Sequence, residues 1–159
     1  MDSFGGEVAP MVEAFDPLKA LGELPASHAT RTRFLPTADR SVFGTIQLGL
    51  LFVMAWWSGP SRQGFFKLKQ VLAALDPGGR LELVVVDTDG CPDLYECPEF
   101  VGQLHGWGEV AWEWGGQVVR TSGMGYHPEC FGPHTRELLA SAPVAEPFSW
   151  PTSQMKTKK

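Results

Sequence analysis

Cysteine is scarce in this chain. There are three in 159 residues, Cys91, Cys97 and Cys130, too few for a disulfide framework in a chain of this length. Basic clustering is missing as well. The formal net charge is −5, and the one basic run, Lys156-Thr-Lys-Lys159, lies at the very end. It reads as a solvated tail, so no nucleic-acid partner is expected. Long apolar runs are also absent. The most apolar stretch, Phe43 to Trp57, is about 15 residues long and contains Gln47, short of the roughly 20 that a membrane helix needs. Met1-Asp-Ser-Phe-Gly-Gly-Glu7 lacks the charged start and apolar run of a secretory signal. The expectation is a soluble, cytoplasmic protein with no membrane partner.

The composition leaves 43% hydrophobic against 19% charged residues, which is enough apolar surface for a core. The length suits one domain with extensions. Residues 1–28 read as an N-terminal extension, with a weak helical pattern from Val12 to Leu24 broken at Pro17. A domain over residues 29–142 follows, and then a proline-containing C-terminal tail over 143–159. Ala29 to Leu35 is a candidate edge strand, and Thr37 to Arg40 offers cap residues for a short helix through Ile46.

Gly49 to Ala55 is almost continuously apolar, the pattern of a strand covered on both faces. Trp57-Ser58-Gly59-Pro60-Ser61 turns it into a helix running from Arg62 to Leu75. That helix carries Phe65, Leu68, Leu72 and Leu75 on one side, with Phe66 and Val71 beside them. Ser58 is placed to cap it, and Pro60 falls in the first turn, where a missing N–H costs little. Asp76-Pro-Gly-Gly79 stops it, and Leu81 to Val86 forms a second buried strand, parallel to the first. Pro92 to Val101 is a candidate short helix. Val110–Trp114 and Gln117–Thr121 flank Gly115-Gly116 as a β-hairpin, with Trp112 expected opposite Val119. A final helix is expected from His134 to Ala142.

Ala55-Trp-Trp-Ser-Gly-Pro-Ser61, between a buried strand and a helix, resembles the Trp-Cys-Gly-Pro-Cys redox turn of the thioredoxin-like superfamily. Gly115 to Gly123 is similar to that family's closing hairpin. The resemblance spans about residues 30 to 142. It implies an α/β, thioredoxin-like fold: a central mixed β-sheet flanked by helices. It also implies that Ser58 and Ser61 stand where the family has its two cysteines. Phe52 stands at the family's buried acid, six residues before the first cysteine. Gly108 stands at the family's cis-proline.

A dithiol works because the first thiol's pKa is depressed to give a thiolate. A serine hydroxyl needs an adjacent base to become a nucleophile. The expectation is therefore a redox-inactive relative without a cofactor. It would bind a protein or extended peptide through the former active-site face, made of Trp56, Trp57, Ser58, Gly59, Pro60, Ser61, Trp107 and Gly108. The family's groove holds substrate chains through backbone hydrogen bonds at this place. Trp56 and Trp107 are the candidate exposed anchors, while Trp57 covers the helix start and Trp112 lies in the core. Two alternatives stay open. One is a divergent thiol-disulfide oxidoreductase using Cys91 and Cys97. The other is a small-molecule binder of the glutathione type. Cys91, Cys97, His127, Cys130 and His134 offer metal-ligand types, but no paired Cys-x-x-Cys exists, so no metal site is expected. His105 reads as a loop residue.

Overall fold

The computed structural model describes residues 16–142, apart from 101, 103–105 and 124. The expectations for residues 1–15, His105 and the tail 143–159 lie outside the described residues. The first element, α1 (Pro17–Ala20), begins at the proline expected to break a helix. Asp16 caps it by accepting from Lys19 N, and Pro17 sits at the first helical position, where its missing N–H is no loss. A 3-10 segment, Ala26–Arg31, then takes the first half of the expected edge strand, leaving β1 as Thr32–Leu35.

The sheet has five strands in the order β1-β3-β2-β4-β5. Its centre is β2 (Leu48–Met54), joined through α2 (Gly59–Leu75) to its parallel neighbour β3 (Glu82–Asp87). On the far side of β3 lies β1, also parallel. On the other flank β4 (Val110–Trp114) runs antiparallel to β2 and is followed by β5 (Gln117–Thr121). The mixed sheet follows from the connections: a helical crossover returns a parallel strand, and a two-residue turn returns an antiparallel one. Gly115 and Gly116 both hold positive φ, 67° and 78°, as a tight hairpin requires. The hairpin is not in simple register. A bulge between Trp112 and Glu113 places Trp112 opposite Arg120 rather than Val119. The extra residue breaks the two-residue alternation that would pair Trp112 with Val119.

One face of the sheet packs Leu50, Phe52, Met54, Leu83, Val85, Val110 and Trp112 against α2 and α3 (Phe131–Ser141). The other packs Leu51, Val53, Val84, Val86 and Ala111 beneath Val42, Phe43, Leu94 and Phe100. These come from 3-10 segments, Arg40–Thr45 and Pro92–Glu96, and the turn beyond them. The expected short helix from Pro92 to Val101 is thus a 3-10 segment ending at Glu96. Apolar residues on both sides of β2 fit this arrangement, with α-helices on one face and 3-10 turns on the other.

Two buried polar groups stand out. His28, in the first 3-10 segment, gives its Nε2 to Asp76 Oδ2 at 2.8 Å, with both side chains buried. Asp76 also accepts from Arg80 N and Leu81 N, so it ties the chain entering β1 to the end of α2 and the start of β3. On β4, Glu113 is fully buried, and among the described residues neither carboxylate oxygen has a hydrogen-bond partner. Burial, with added repulsion from Glu99 and Glu82, pushes its pKa up to about 8.

Candidate functional site

The turn between β2 and α2 is built by its two serines. Ser58 caps α2, its Oγ accepting from Ser61 N at 3.3 Å. Ser61 is fully buried, and its Oγ accepts from Ala55 N at 2.9 Å while lying 3.5 Å from Met54 Sδ. Each hydroxyl therefore satisfies a backbone donor at the strand-to-helix junction, where helix geometry leaves N–H groups without partners. Among the described residues no imidazole or carboxylate bonds to Ser58 Oγ. His28 is committed to Asp76 at the opposite end of α2, some 25 Å away along a helix of this length. His127 meets Glu129, and His134 stands edge-on to Trp112.

Phe52 and Gly108 meet beside this turn. Phe52 is buried and packs edge-on against Phe65 with ring centroids 5.1 Å apart. Gly108 has φ 89°, and a Cβ there would lie 3.2 Å from Ser61 Cα and 3.4 Å from Phe52 Cζ. Glycine at 108 thus lets its loop close directly onto the serine turn. The carboxylate of Glu109 faces back towards Trp107 N at 3.3 Å, and Glu109 O accepts from Val53 N. These contacts fix the loop to β2.

Ser58, Gly59, Pro60, Ser61 and Gly108 are therefore brought together. The tryptophans divide differently from expectation. Trp56 is half-buried, with its ring 5.8 Å from that of Phe34, because it follows the strand end and turns back over the sheet edge. Trp57, expected to cover the helix start, is instead 62% exposed. Its indole N–H donates to Asp89 Oδ2 at 3.1 Å, and its benzo edge lies so close to Gly106 that a Cβ there would fall within 2.5 Å. Trp107 is 46% exposed, as expected, and Trp112 is buried in the core with its N–H given to Thr135 Oγ1.

Three contributors were missed. Phe66, read as a flank of the apolar side of α2, is 57% exposed. It lines an open groove with Gly59, Pro60, Arg62, Gln63 and Tyr126. Tyr126 reaches the site from the loop before α3 and lies against Gly64, a contact across 62 positions that no local pattern marks. Asp89 orients Trp57 across 32 positions.

The cysteines sit elsewhere. Cys91 and Cys97 are buried under the 3-10 face, and all three thiols are free. Cys91 Sγ lies 3.1 Å from Asp87 O. Burial, followed by the charges of Asp87 and Asp89, pushes its thiol up to about 12. Burial also raises Cys97, and raises Cys130 to about 11. These settings favour the thiol over the thiolate nucleophile. Among the described residues no group of three or more His, Cys, Asp or Glu is arranged to hold a metal ion, and no helix is long and apolar enough to cross a membrane.

No family model matches the sequence, and no curated protein matches it. Solved structures do. One, from work on the thiol-resolving mechanism of yeast mitochondrial 1-Cys peroxiredoxin via the glutathione/thioredoxin systems, is 18% identical. It matches over 69% of this chain and 98% of its own, with a TM-score of 0.52. Thioredoxin from Trypanosoma brucei brucei is 13% identical over 66% of this chain and 92% of its own, with a TM-score of 0.50. The chain is an α/β protein with a thioredoxin-like fold, in which the turn carrying Ser58 and Ser61 joins the central strand to the helix following it.

Proposed function

We propose that this chain is a non-catalytic thioredoxin-like protein that binds a partner protein or an extended peptide at the face formed by Trp57, Ser58, Gly59, Pro60, Trp107 and Gly108. The observation that carries this reading is the exposure of Trp57 beside the capped turn. A large indole is pinned along one edge and left bare elsewhere, against Gly106, whose chain neighbour Trp107 is a second exposed indole. Rigid exposed aromatics bury much area at little entropic cost, which is why they anchor interfaces. The groove under Phe66 and Tyr126 continues the same surface.

The assignment of the serines supports the absence of chemistry at this turn, since both hydroxyls serve the backbone. The buried, high-pKa thiol of Cys91 weighs against the alternative of a dithiol moved to Cys91 and Cys97.

The test is affinity capture from the organism that makes the chain, with the wild type, Trp57→Ala and Ser58→Arg compared side by side. Circular dichroism checks that each variant is folded. Partners held by the wild type are expected to fall at least about tenfold in yield with either change, as loss of an interface anchor implies. Partners retained by both variants would place the binding surface elsewhere. A disulfide-reduction assay accompanies it, and turnover abolished by Cys91→Ser would establish the oxidoreductase reading instead.

A further inference from the structure

Trp57 does not stand on a neutral surface. The segment running away from it, Asp87 to Glu99, carries five carboxylates (Asp87, Asp89, Asp93, Glu96, Glu99) and no lysine or arginine. Two of them are close by. Asp89 Oδ2 holds the Trp57 indole N–H at 3.1 Å, while Asp87 Oδ1 accepts from Asp89 N and so fixes the 3-10 turn that presents Asp89. The bond uses one oxygen of an exposed carboxylate and leaves the other for an incoming group. An electron-rich ring surface and an anionic oxygen thus sit side by side, both accessible and both held in place. Arg62, in the first turns of α2, donates from Nη1 to Trp56 O at 2.6 Å.

From this juxtaposition we infer that Trp57 and Asp89 form a subsite for a cationic side chain, so that the extended peptide bound at this face presents a lysine or arginine over Trp57. The inference rests on the binding reading above and adds the chemistry of the occupant. A cation laid on an indole gains from the ring's quadrupole, and a neighbouring carboxylate adds a charge partner that also selects against acidic residues. The hydrogen bond to Asp89 gives the ring one orientation before the partner arrives, so less freedom is lost on binding. An apolar neighbour of the basic residue would reach Trp107 or the Pro60–Phe66–Tyr126 groove.

A random dodecapeptide library displayed on phage, selected against the intact chain, tests this. Selected peptides are then synthesised and titrated against the wild type, Asp89→Asn and Trp57→Ala. Asp89→Asn keeps an oxygen for the indole and removes only the charge. The expected result is enrichment of lysine or arginine beside an apolar residue. Asp89→Asn should weaken binding about five- to thirtyfold, with the loss shrinking as salt rises. Peptides without basic enrichment, weakened by Trp57→Ala but not by Asp89→Asn, would overturn the cation subsite and leave the binding face standing. Binders indifferent to both changes, or a selection that enriches nothing, would count against the subsite and the face together.

Discussion

Replacing Glu113 with Gln is expected to stabilise the chain by about 2–3 kcal/mol at pH 7 and to change little near pH 4. Glu113 lies on the bulged strand β4, fully buried, with both carboxylate oxygens unpartnered among the described residues. Burial, with Glu99 and Glu82 adding repulsion, raises its pKa from 4.5 to about 8. In the unfolded chain it ionises near its ordinary value. Because the folded value is the higher one, the folded state is penalised once the unfolded chain can release the proton. Stability is full below about pH 4.5, declines as pH rises, and stops declining above about pH 8. Glutamine carries no proton to lose and has nearly the same shape. Its amide inherits the unpartnered site, so the gain stays below the full linkage value. Urea unfolding of wild type and Glu113→Gln from pH 4 to pH 9 reads the difference directly. Curves that run parallel across that range would show that Glu113 is not held neutral in the fold.

The opposite sign is expected at Asp76. Asp76→Ala should cost about 3–5 kcal/mol at neutral pH, the range for leaving a buried polar partner uncompensated. The change strands His28 Nε2 and the N–H groups of Arg80 and Leu81, all of which Asp76 accepts from. Burial alone would raise the Asp76 pKa. Hydrogen bonds from His28, Leu81 and Arg80, with the His28 charge, more than offset that and hold it below 3.8. A depressed folded value means the contribution is present above the unfolded pKa and is lost as pH falls through the folded one. Asp76→Ala should therefore flatten the acid limb of the stability profile, where Glu113→Gln flattens the limb above pH 4.5. His28→Ala combined with Asp76→Ala should cost little more than Asp76→Ala alone, since the two act as one unit. Additive losses in that cycle would mean that the pair does not hold the entry to β1.

Much of this architecture is written locally. The apolar run of β2, the Ser-Gly-Pro cap of α2, the Asp-Pro-Gly-Gly stop and the glycine turn of the hairpin each fix their element through backbone chemistry carried by adjacent residues. The positions of the Ser58 turn were legible for the same reason, because Ser58 to Ser61 are contiguous and Gly108 follows at a countable distance from the hairpin. What escaped depends on contacts distant in sequence. Trp57 and Trp56 are neighbours of equal apolarity, and only the positions of Phe34, Asp89 and Gly106 decide which of them is half-buried and which is bare. Phe66 falls beside the apolar side of an amphipathic helix, yet among the described residues it stays exposed and faces the groove. The bulge at Trp112 and Glu113 shifted the hairpin pairing, and nothing in the alternation of β4 signals it. The burial of Glu113 belongs to the same class, since it depends on elements distant in sequence from β4 and not on the alternation of the strand.

The proposed binding of polypeptide at the Ser58 turn needs no thiol chemistry. The most direct measurement is the affinity of a captured partner or selected peptide for two variants: one with Cys91, Cys97 and Cys130 all replaced by Ala, and one with Ser58→Arg. Wild-type affinity is expected for the folded cysteine-free chain and lost binding for Ser58→Arg. Binding that disappears with the cysteines and survives at Ser58→Arg would contradict it.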